Sequence, residues 1–442
     1  MSVLRIADML SAEIESAEIS KNDVIRKTGI DRSTFYQILG NRRMATPAQF
    51  LKILDALQPD ATNRLLLLRQ YERERIGEDK FAKYEKVRTF LRMLSVEDKD
   101  GEENSIEAKC PEKIEALIRH ALQRNGQIKI RLLLPTELFF SLGLEKVLEE
   151  NTHKGSNVCV EQMLIDWDGN SDADPMIRGF AGYLKLLERN PDFCVNAWMS
   201  DNVIFHAEGT PYPFYMIDED AMVMFDHTGM NCICVQDQVL IREYTKHFDH
   251  LIRNAKPVVT LNRNMAELYQ HMTAAVMDEA GHQDQRRNKV SGKIFLLSET
   301  PCVWLSTTME QNKIYFDSED GLAYGAMLRS LDIIEFSSME RLNRFFDGQR
   351  ITESGVNMKI RKEHMSILRN SIMSRIGKNL FLLNEEVQPL PNGYVLYLAG
   401  NGRMVLTPYK DSRFLVCVQN WNFAKEVYEW FETRVSTVNP EC

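Results

Sequence analysis

The sequence lacks the long apolar segments of a membrane protein. No apolar run approaches the roughly 20 residues that a helix needs to cross a bilayer, and the first residues, MSVLRIADMLSAEIES, lack a basic region followed by an apolar signal core. Of the 442 residues 44% are hydrophobic and 26% charged, a composition typical of a folded protein with about three domains. We therefore expect a cytoplasmic protein without a membrane partner.

Metal-binding patterns are also missing. The eight cysteines are scattered, and the close pair Cys232 and Cys234 lies in the apolar strand-like stretch NCICV without two further ligands at a suitable spacing. His247 and His250 share one predicted helix and are interpreted as a solvated face, with a metal pair as the alternative. The acidic stretch IDWDGNSDADP (165–175) does not fit the calcium-loop template. The sequence thus predicts no metal site, and reduced cysteines packed as small hydrophobes.

Catalytic motifs are absent as well. No glycine-rich phosphate loop follows a predicted strand, and no serine or cysteine nucleophile motif occurs. We expect a protein that is not an enzyme and that uses no cofactor.

Charge is distributed unevenly. The chain carries a net charge of −9, but up to residue 94 there are 17 lysines and arginines against 13 acidic residues. A basic N-terminal part on an acidic body favours a polyanion as the partner of the N-terminal part alone.

Helix-start and helix-stop signals follow one another closely between residues 20 and 57. Ser20, Asp31 and Thr46 are typical N-caps, and Gly29 permits the left-handed turn that joins two helices at a sharp angle. The predicted inward positions are Val24, Ile25, Thr28 and Ile30, then Phe35, Ile38 and Leu39, then Phe50, Ile53, Leu54 and Leu57. On the middle helix this leaves four polar residues outward that can read base edges: Arg32, Ser33, Thr34 and Gln37. The turn that follows has donors suited to phosphates.

This pattern resembles the helix-turn-helix of Cro and the phage repressors, the XRE family, over roughly residues 3–70. The matching features are Val24-Ile25, Gly29-Ile30, Asp31, Phe35, Ile38 and Gly40-Asn41-Arg42. Ile25 departs from the family, which usually has an alanine there, and could alter the angle between the helices. The resemblance implies a sequence-specific regulator bound to double-stranded DNA, with base contacts from Arg32, Ser33, Thr34 and Gln37. It implies phosphate contacts from Lys21, Asn22, Asn41, Arg42 and Arg43. The alternative is a helix-turn-helix used only for protein contact.

A connector is predicted between residues 71 and 109. An apolar stripe, Phe81, Tyr84, Val87, Leu91 and Leu94, recurs at helical spacing and could pack on the body or pair with a second copy. Repressors of this type commonly bind DNA as homodimers. The polar, acidic segment SVEDKDGEENSIEAK (95–109) is typical of a linker.

The remaining residues alternate short β-rich runs with helices and contain an internal repeat. With an offset of 183, residues 232–251 share five identities with 415–434, and KIRLLLPTE is weakly echoed by KIFLLSETP. We predict an α+β multidomain protein: an all-α helix-turn-helix domain (1–70), the connector (71–109), and a duplicated α/β body with pseudo-twofold symmetry whose halves are 110–262 and 263–442. Tyr212, Tyr215, Tyr394 and Tyr397 should approach the twofold axis as core residues.

The body also looks like the duplicated shell of phospholipase D, which some regulators keep as a catalytically dead sensor. If Asp218 matches that family's aspartate, Pro211 and Pro213 occupy its catalytic His and Lys positions, and PLPNGYVLYLAG in the second half has neither residue type. The resulting hypothesis is a DNA-binding transcription regulator whose body senses an unknown small molecule or protein. The alternative is an enzyme of unrecognised class, such as a phage-defence nuclease or phosphodiesterase, that uses its helix-turn-helix for autoregulation or targeting.

Overall fold

The computed structural model describes most of the chain. The described residues are 5–94, 112–123, 127–151, 157–164, 177, 180, 182–184, 187, 193–199, 211–262, 293–298, 300, 331–353, 356–385, 388–408, 415–419 and 422–438. Two compact units are present: Met1–Arg88 with Asn384–Pro389, and Thr89–Leu383 with Leu390–Cys442. The linker 95–109 and the acidic stretch 165–175 lie outside the described residues. No described helix has both the length and the apolar character needed to cross a bilayer.

The N-terminal part is entirely helical. Its helices are α1 (Ile6–Ser16), α2 (Lys21–Thr28), α3 (Arg32–Leu39), α4 (Pro47–Leu57), α5 (Ala61–Ile76) and α6 (Glu78–Met93). The core of the bundle is built from apolar side chains of α1 to α5. Phe50 of α4 stacks on Tyr71 of α5 with ring centroids 4.0 Å apart, and the Tyr71 hydroxyl donates to the Ala45 carbonyl at 2.7 Å. These contacts fix α5 against α4 and against the turn that precedes α4.

The apolar stripe of α6 is buried within the single chain. All five of its members have side chains that are at most 5% exposed: Phe81, Tyr84, Val87, Leu91 and Leu94. In the first unit, the Arg88 side chain of the same helix forms ion pairs with Glu72 and Glu85. Of the two interpretations left open by the sequence, this burial favours packing inside one chain over a surface for a second copy.

The second unit is a mixed sheet with helices. Its helices are α7 (Glu112–Leu122), α8 (Thr136–Ser141), α9 (Leu144–Asn151), α10 (Gln238–Arg253), α11 (Met339–Gly348), α12 (Lys362–Met373) and α13 (Asn422–Val438). The strands are β1 (Gln127–Leu133), β2 (Asn157–Leu164), β3 (Phe193–Met199), β4 (Phe214–Ile217), β5 (Met222–Phe225), β6 (Cys232–Val235), β7 (Lys256–Asn262), β8 (Ile294–Leu297), β9 (Ile333–Ser337), β10 (Arg350–Glu353), β11 (Val356–Lys359), β12 (Leu380–Leu382), β13 (Tyr394–Ala399), β14 (Met404–Pro408) and β15 (Leu415–Val418). Apart from the separate β10-β11 pair, all form one sheet in the order β12-β9-β8-β13-β14-β15-β7-β3-β2-β1-β4-β5-β6. The mixed α/β architecture and the helical N-terminal part are thus as predicted.

One strand order occurs twice in this sheet. In the order β3-β2-β1-β4-β5-β6 the first three strands are parallel and each later pairing is antiparallel, and β12-β9-β8-β13-β14-β15 has the same pattern. We call these sets the first and second strand sets. Each ends in an amphipathic helix, α10 or α13. The two segments that echo each other weakly in sequence overlap β1 and β8, which hold the same place in their sets.

The two sets follow one another head to tail. Strand β7 is antiparallel both to β15, the last strand of the second set, and to β3, the outer parallel strand of the first. A twofold axis between the sets would bring equivalent edges together, and the sheet joins non-equivalent ones. The predicted pseudo-twofold symmetry is therefore not confirmed. Tyr215 lies on β4, and Tyr394 and Tyr397 lie on β13. Six strands separate β4 from β13, so these tyrosines are roughly 34 Å apart along the sheet at about 4.8 Å per strand. All three are core residues, as predicted.

The face of the first strand set under α10 carries ion pairs beside an aromatic contact. Lys129 of β1 donates to Glu161 of β2 at 2.8 Å, and Arg131 Nε lies 3.4 Å from Glu161 and 3.5 Å from Asp249 of α10. On the neighbouring strand, Asn196 Nδ2 lies within 3.8 Å of two thiols. Charged pairs and amides thus line part of the sheet face under this helix, and Tyr215 of β4 meets Tyr244 of α10 edge to face at 5.2 Å.

The same place in the second strand set is aromatic. In the first set, the residue pairing runs from Val235 of β6 through β5 and β4 to Arg131 of β1. In the second set, the same path from Val418, the counterpart of Val235 at an offset of 183, runs through β14 and β13 to Phe295 of β8. Phe295 therefore occupies the position of Arg131. Phe295 stacks on Tyr428 of α13 at 4.2 Å and meets Phe336 edge to face. An apolar core therefore joins α13 to its sheet.

Candidate nucleic-acid interface

Helix α2 begins and ends as predicted from the sequence. Ser20 Oγ accepts a hydrogen bond from the Asp23 N–H at 3.1 Å, which caps the N-terminus. Gly29 ends the helix with φ +65°, a left-handed conformation that side chains with a Cβ rarely adopt. The Thr28 hydroxyl is buried in the turn, donates to the Val24 carbonyl at 2.8 Å and accepts from the Ile30 N–H at 3.3 Å. The direction in which the chain leaves α2 is thereby fixed.

Helix α3 is held at its first turn and along its inner face. The Asp31 carboxylate caps it by accepting from the Thr34 N–H at 2.9 Å. Phe35 and Ile38 are buried in the helical core, and Leu39 is partly buried against it. The next helix, α4, begins with the capping box of Thr46 and Gln49. Because the first turns of α3 and of α4 are both capped, α3 is held in place at its start and just beyond its end.

The residues predicted to read bases lie on the outer face of α3, except that one of them is partly buried. At about 100° per residue, Ser33 and Gln37 lie close to the point opposite the buried side chains, whereas Arg32 and Thr34 stand on the two flanks. Arg32, Ser33 and Gln37 are exposed, and Thr34 is partly buried. Thr34 is therefore less accessible than the other three.

Tyr36 is an exposed aromatic residue of this face that the sequence interpretation did not include. Its side chain is 42% exposed, and the Arg32 guanidinium lies over its ring at 5.8 Å from the centroid. The spacing of four residues between Arg32 and Tyr36 places the pair on one side of the helix and could have indicated it. The tyrosine restricts the guanidinium and adds a hydroxyl and an apolar ring to the surface.

The residues assigned to phosphates lie at helix ends and are exposed. Lys21 and Asn22 occupy the first two positions of α2, where the helix dipole favours anions. After α3, Asn41 has φ +52°, and the Arg42 N–H donates to the Gln37 carbonyl at 2.9 Å. Arg43 is also exposed, and its N–H approaches the same carbonyl at 3.3 Å. Donors thus stand at the N-terminus of one helix and at the C-terminus of the next.

Asp218, the residue compared with the phospholipase D aspartate, has a structural role. It is 1% exposed, and its Oδ1 accepts from the backbone N–H groups of Asp220 and Ala221, both at 2.7 Å. These bonds hold the turn between β4 and β5. Pro213 is buried directly before β4, and Pro211 is exposed two residues earlier.

The two histidines of α10 have separate partners. His247 Nδ1 lies 3.1 Å from the Tyr215 hydroxyl, and His250 approaches the Asn254 side chain at 3.4 Å. Burial, together with the nearby His250, lowers the pKa of His247, and burial raises the pKa of Tyr215. Nowhere in the described part of the chain do three or more His, Cys, Asp or Glu side chains form a group suited to a metal ion.

The cysteine prediction holds in part. Cys159 and Cys417 are buried thiols, as expected for small hydrophobic side chains. Cys232 and Cys234 do lie in a strand, but Cys234 is exposed because β6 forms an edge of the sheet.

Comparisons with known proteins assign no family. No family model and no curated protein matches the chain. Among solved structures, the chain is similar to an archaeal chromatin protein, TrmBL2, described as showing a novel mode of DNA binding, with 12% identity over 56% of this chain and 98% of that one and a TM-score of 0.21. It is also similar to the polyphosphate kinase of Porphyromonas gingivalis, with 11% identity over 69% of this chain and 45% of that one and a TM-score of 0.22. TM-scores this low leave function to be argued from the residues.

Proposed function

We propose that the protein is a sequence-specific regulator that binds double-stranded DNA through α3. The observation that carries this proposal is the face of α3, where Arg32, Ser33, Tyr36 and Gln37 are exposed on a helix capped by Asp31 and anchored by its buried side. Arginine and glutamine make bidentate hydrogen bonds with guanine and adenine, respectively. A helix of this length fits the major groove, which is about 12 Å wide.

The proposed contacts divide into two classes. Arg32, Ser33 and Gln37 read base edges, with Thr34 at the rim of the contact. Lys21, Asn22, Asn41, Arg42 and Arg43 bind phosphates and set the orientation of α3. The excess of basic over acidic residues up to residue 94 supports this division, because phosphate contacts contribute affinity without sequence preference. We further propose that the regulator is cytoplasmic and acts as a homodimer.

The test is selection from a randomised DNA pool. Purified full-length protein is incubated with random duplexes, and bound molecules are amplified and sequenced over several rounds. A DNA reader enriches a motif of defined length, and Arg32→Ala relaxes the preference at one base pair of it. Failure of the wild-type protein to enrich any sequence, with the protein shown to be folded, would contradict the proposal and leave a helix-turn-helix used for protein contact.

We propose that the second unit is a duplicated, non-catalytic sensor of a small molecule or protein. The repeated strand order and the sequence identities at an offset of 183 support duplication. The use of Asp218 in a turn, next to Pro211 and Pro213, argues against phospholipase D chemistry in the first half. Purified protein should therefore show no turnover of duplex DNA or of phosphodiester substrates, and clear turnover that co-purifies with the chain would establish the enzyme alternative.

A further inference from the structure

The edge strand β6 leaves apolar side chains in solvent that the second strand set buries. Ile233 is 42% exposed, whereas Val416, its counterpart at an offset of 183, is 1% exposed. Leu240 of α10 is 47% exposed, against 3% for Phe423 of α13. Met230 and Val239, which flank β6, are also exposed. Exposed apolar residues grouped around a sheet edge indicate a surface that binds a partner.

The second strand set shows what covers this edge. Strand β7 lies on β15 in antiparallel register, with Thr260 opposite Cys417 and Val259 opposite Val418. No described strand lies in the corresponding position on β6, which ends the sheet. The matched edge of the same chain thus indicates an antiparallel strand as the missing element.

The backbone of β6 defines which groups are available to such a strand. Asn231 faces β5, because its carbonyl accepts from the Asp226 N–H at 3.0 Å. Successive residues of a strand direct their N–H and C=O groups to opposite edges, so those of Cys232 and Cys234 point outward. Lys113 of α7 confirms this direction, since its ammonium group donates to the Cys232 carbonyl at 3.0 Å. Cys234 therefore offers a donor and an acceptor at the open edge.

We propose that β6 is the dimerisation edge of the protein, which pairs antiparallel with β6 of a second copy. The strand CICV has no charged residue, so self-pairing places no like charges of the strand directly opposite each other. The opposite end of the described sheet is β12, and pairing β6 with β12 of another copy would be heterologous and open-ended. Pairing β6 with itself is isologous and closes after two copies.

The register is centred on Cys234. A pair of Cys234 residues exchanges both outward hydrogen bonds, and Lys113 keeps its bond to Cys232 in each copy. The two Cys234 Cα atoms then lie about 5.5 Å apart. The two Cys232 residues are separated by four residue steps, roughly 14 Å. Pairing through β6 rests on the homodimer of the proposed function and supplies a surface for it. The tests of this pairing contain no DNA, so a negative result would leave DNA binding by α3 intact.

Sedimentation velocity of the full chain under reducing conditions tests the dimer. We expect a concentration-dependent dimer for the wild type and at least a tenfold higher dissociation constant for Ile233→Lys, which places two ammonium groups at the interface. Ile367→Lys is the matched control, because Ile367 of α12 is equally exposed at 41%, and this variant should dimerise like the wild type. A wild type that stays monomeric at every concentration, or equal dissociation constants for the two variants, would overturn the proposal.

Cross-linking tests the register. A bismaleimide with a two-carbon spacer, added to dilute reduced protein, should give a covalent dimer that is lost in Cys234→Ser and retained in Cys232→Ser. Both substitutions lie on the exposed edge strand, so folding should be preserved, and circular dichroism checks it. Dimer that survives Cys234→Ser but not Cys232→Ser, or no cross-linked dimer in the wild type, would refute the pairing centred on Cys234.

Discussion

The two strand sets have the same strand order, yet their closing helices are attached by different interactions. Helix α10 lies over a face where Arg131 pairs with Glu161 and Asp249, and its Tyr244 meets Tyr215 edge to face. Helix α13 lies over Phe295 and Phe336 of the sheet. Its Tyr428 contacts Phe295, and its Phe431 contacts Phe336. Truncation of a buried aromatic side chain costs on the order of 3 to 5 kcal/mol, whereas an ion pair with one exposed partner, such as Arg131–Asp249, gives about 1 kcal/mol or less.

From this difference we infer that one topology is stabilised to different degrees in its two copies. Because hydrophobic burial is stronger than a partly solvated ion pair, we expect α13 to open only with its sheet and α10 to open at lower cost. The copy with ion pairs under its helix is also the one that ends in the exposed edge β6. We therefore expect the first strand set to change its contacts more readily, as the proposed sensor role requires.

The largest expected effect is that of Phe295→Ala. Phe295 is fully buried, and its loss removes contacts with Tyr428 and Phe336, so the unfolding free energy should fall by about 3 to 5 kcal/mol. Denaturant unfolding, with hydrogen exchange resolved to α13, measures the change, and Phe295→Leu is the variant to use if Ala prevents folding. A loss no larger than that of the matched Arg131 variant would remove the distinction between the two sets.

A smaller effect is expected for Arg131→Met, which keeps the length of the side chain and removes its charge. The Glu161 and Asp249 carboxylates each lose an ion pair, and because Asp249 is partly exposed the cost should be about 1 to 2 kcal/mol. Hydrogen exchange of α10 should rise while that of α13 stays constant. Raising KCl to about 1 M, where the Debye length is near 3 Å, should have the same selective effect on the wild type. Equal responses in both helices would contradict the account.

The smallest effect is the pH dependence of α10. The pKa of His247 is lowered by burial, so the unfolded chain binds a proton at a higher pH than the folded chain does. Stability is therefore unaffected above the unfolded pKa of about 6.5 and falls as pH decreases from there to the lowered folded pKa. Hydrogen exchange of α10 should accelerate over this window, and His247→Gln should abolish the dependence. An unchanged pH profile in the variant would assign the effect to other groups.

The sequence predicted local features better than long-range ones. The caps Ser20 and Asp31 and the turn at Gly29 were predictable because each depends on the chemistry of a few neighbouring residues. The head-to-tail order of the strand sets was not, since β7 joins edges that are far apart in the chain. Tyr36 was missed because an aromatic residue beside buried Phe35 fits a core pattern equally well. The exposure of Cys234 follows from the position of β6 at the edge, which periodicity does not encode.

Reading of DNA by α3 is tested most directly by comparing Arg32→Ala with Arg42→Ala. Fluorescence anisotropy would measure the affinity of each variant for the selected site and for a random duplex at several KCl concentrations. Arg32→Ala should weaken binding to the selected site by about 1 to 3 kcal/mol, roughly 5- to 150-fold, with little change on random DNA. Arg42→Ala should weaken binding to both duplexes and reduce the magnitude of the salt slope by about 1. The same sequence-independent loss in both variants would contradict the assignment of α3 as the reading helix.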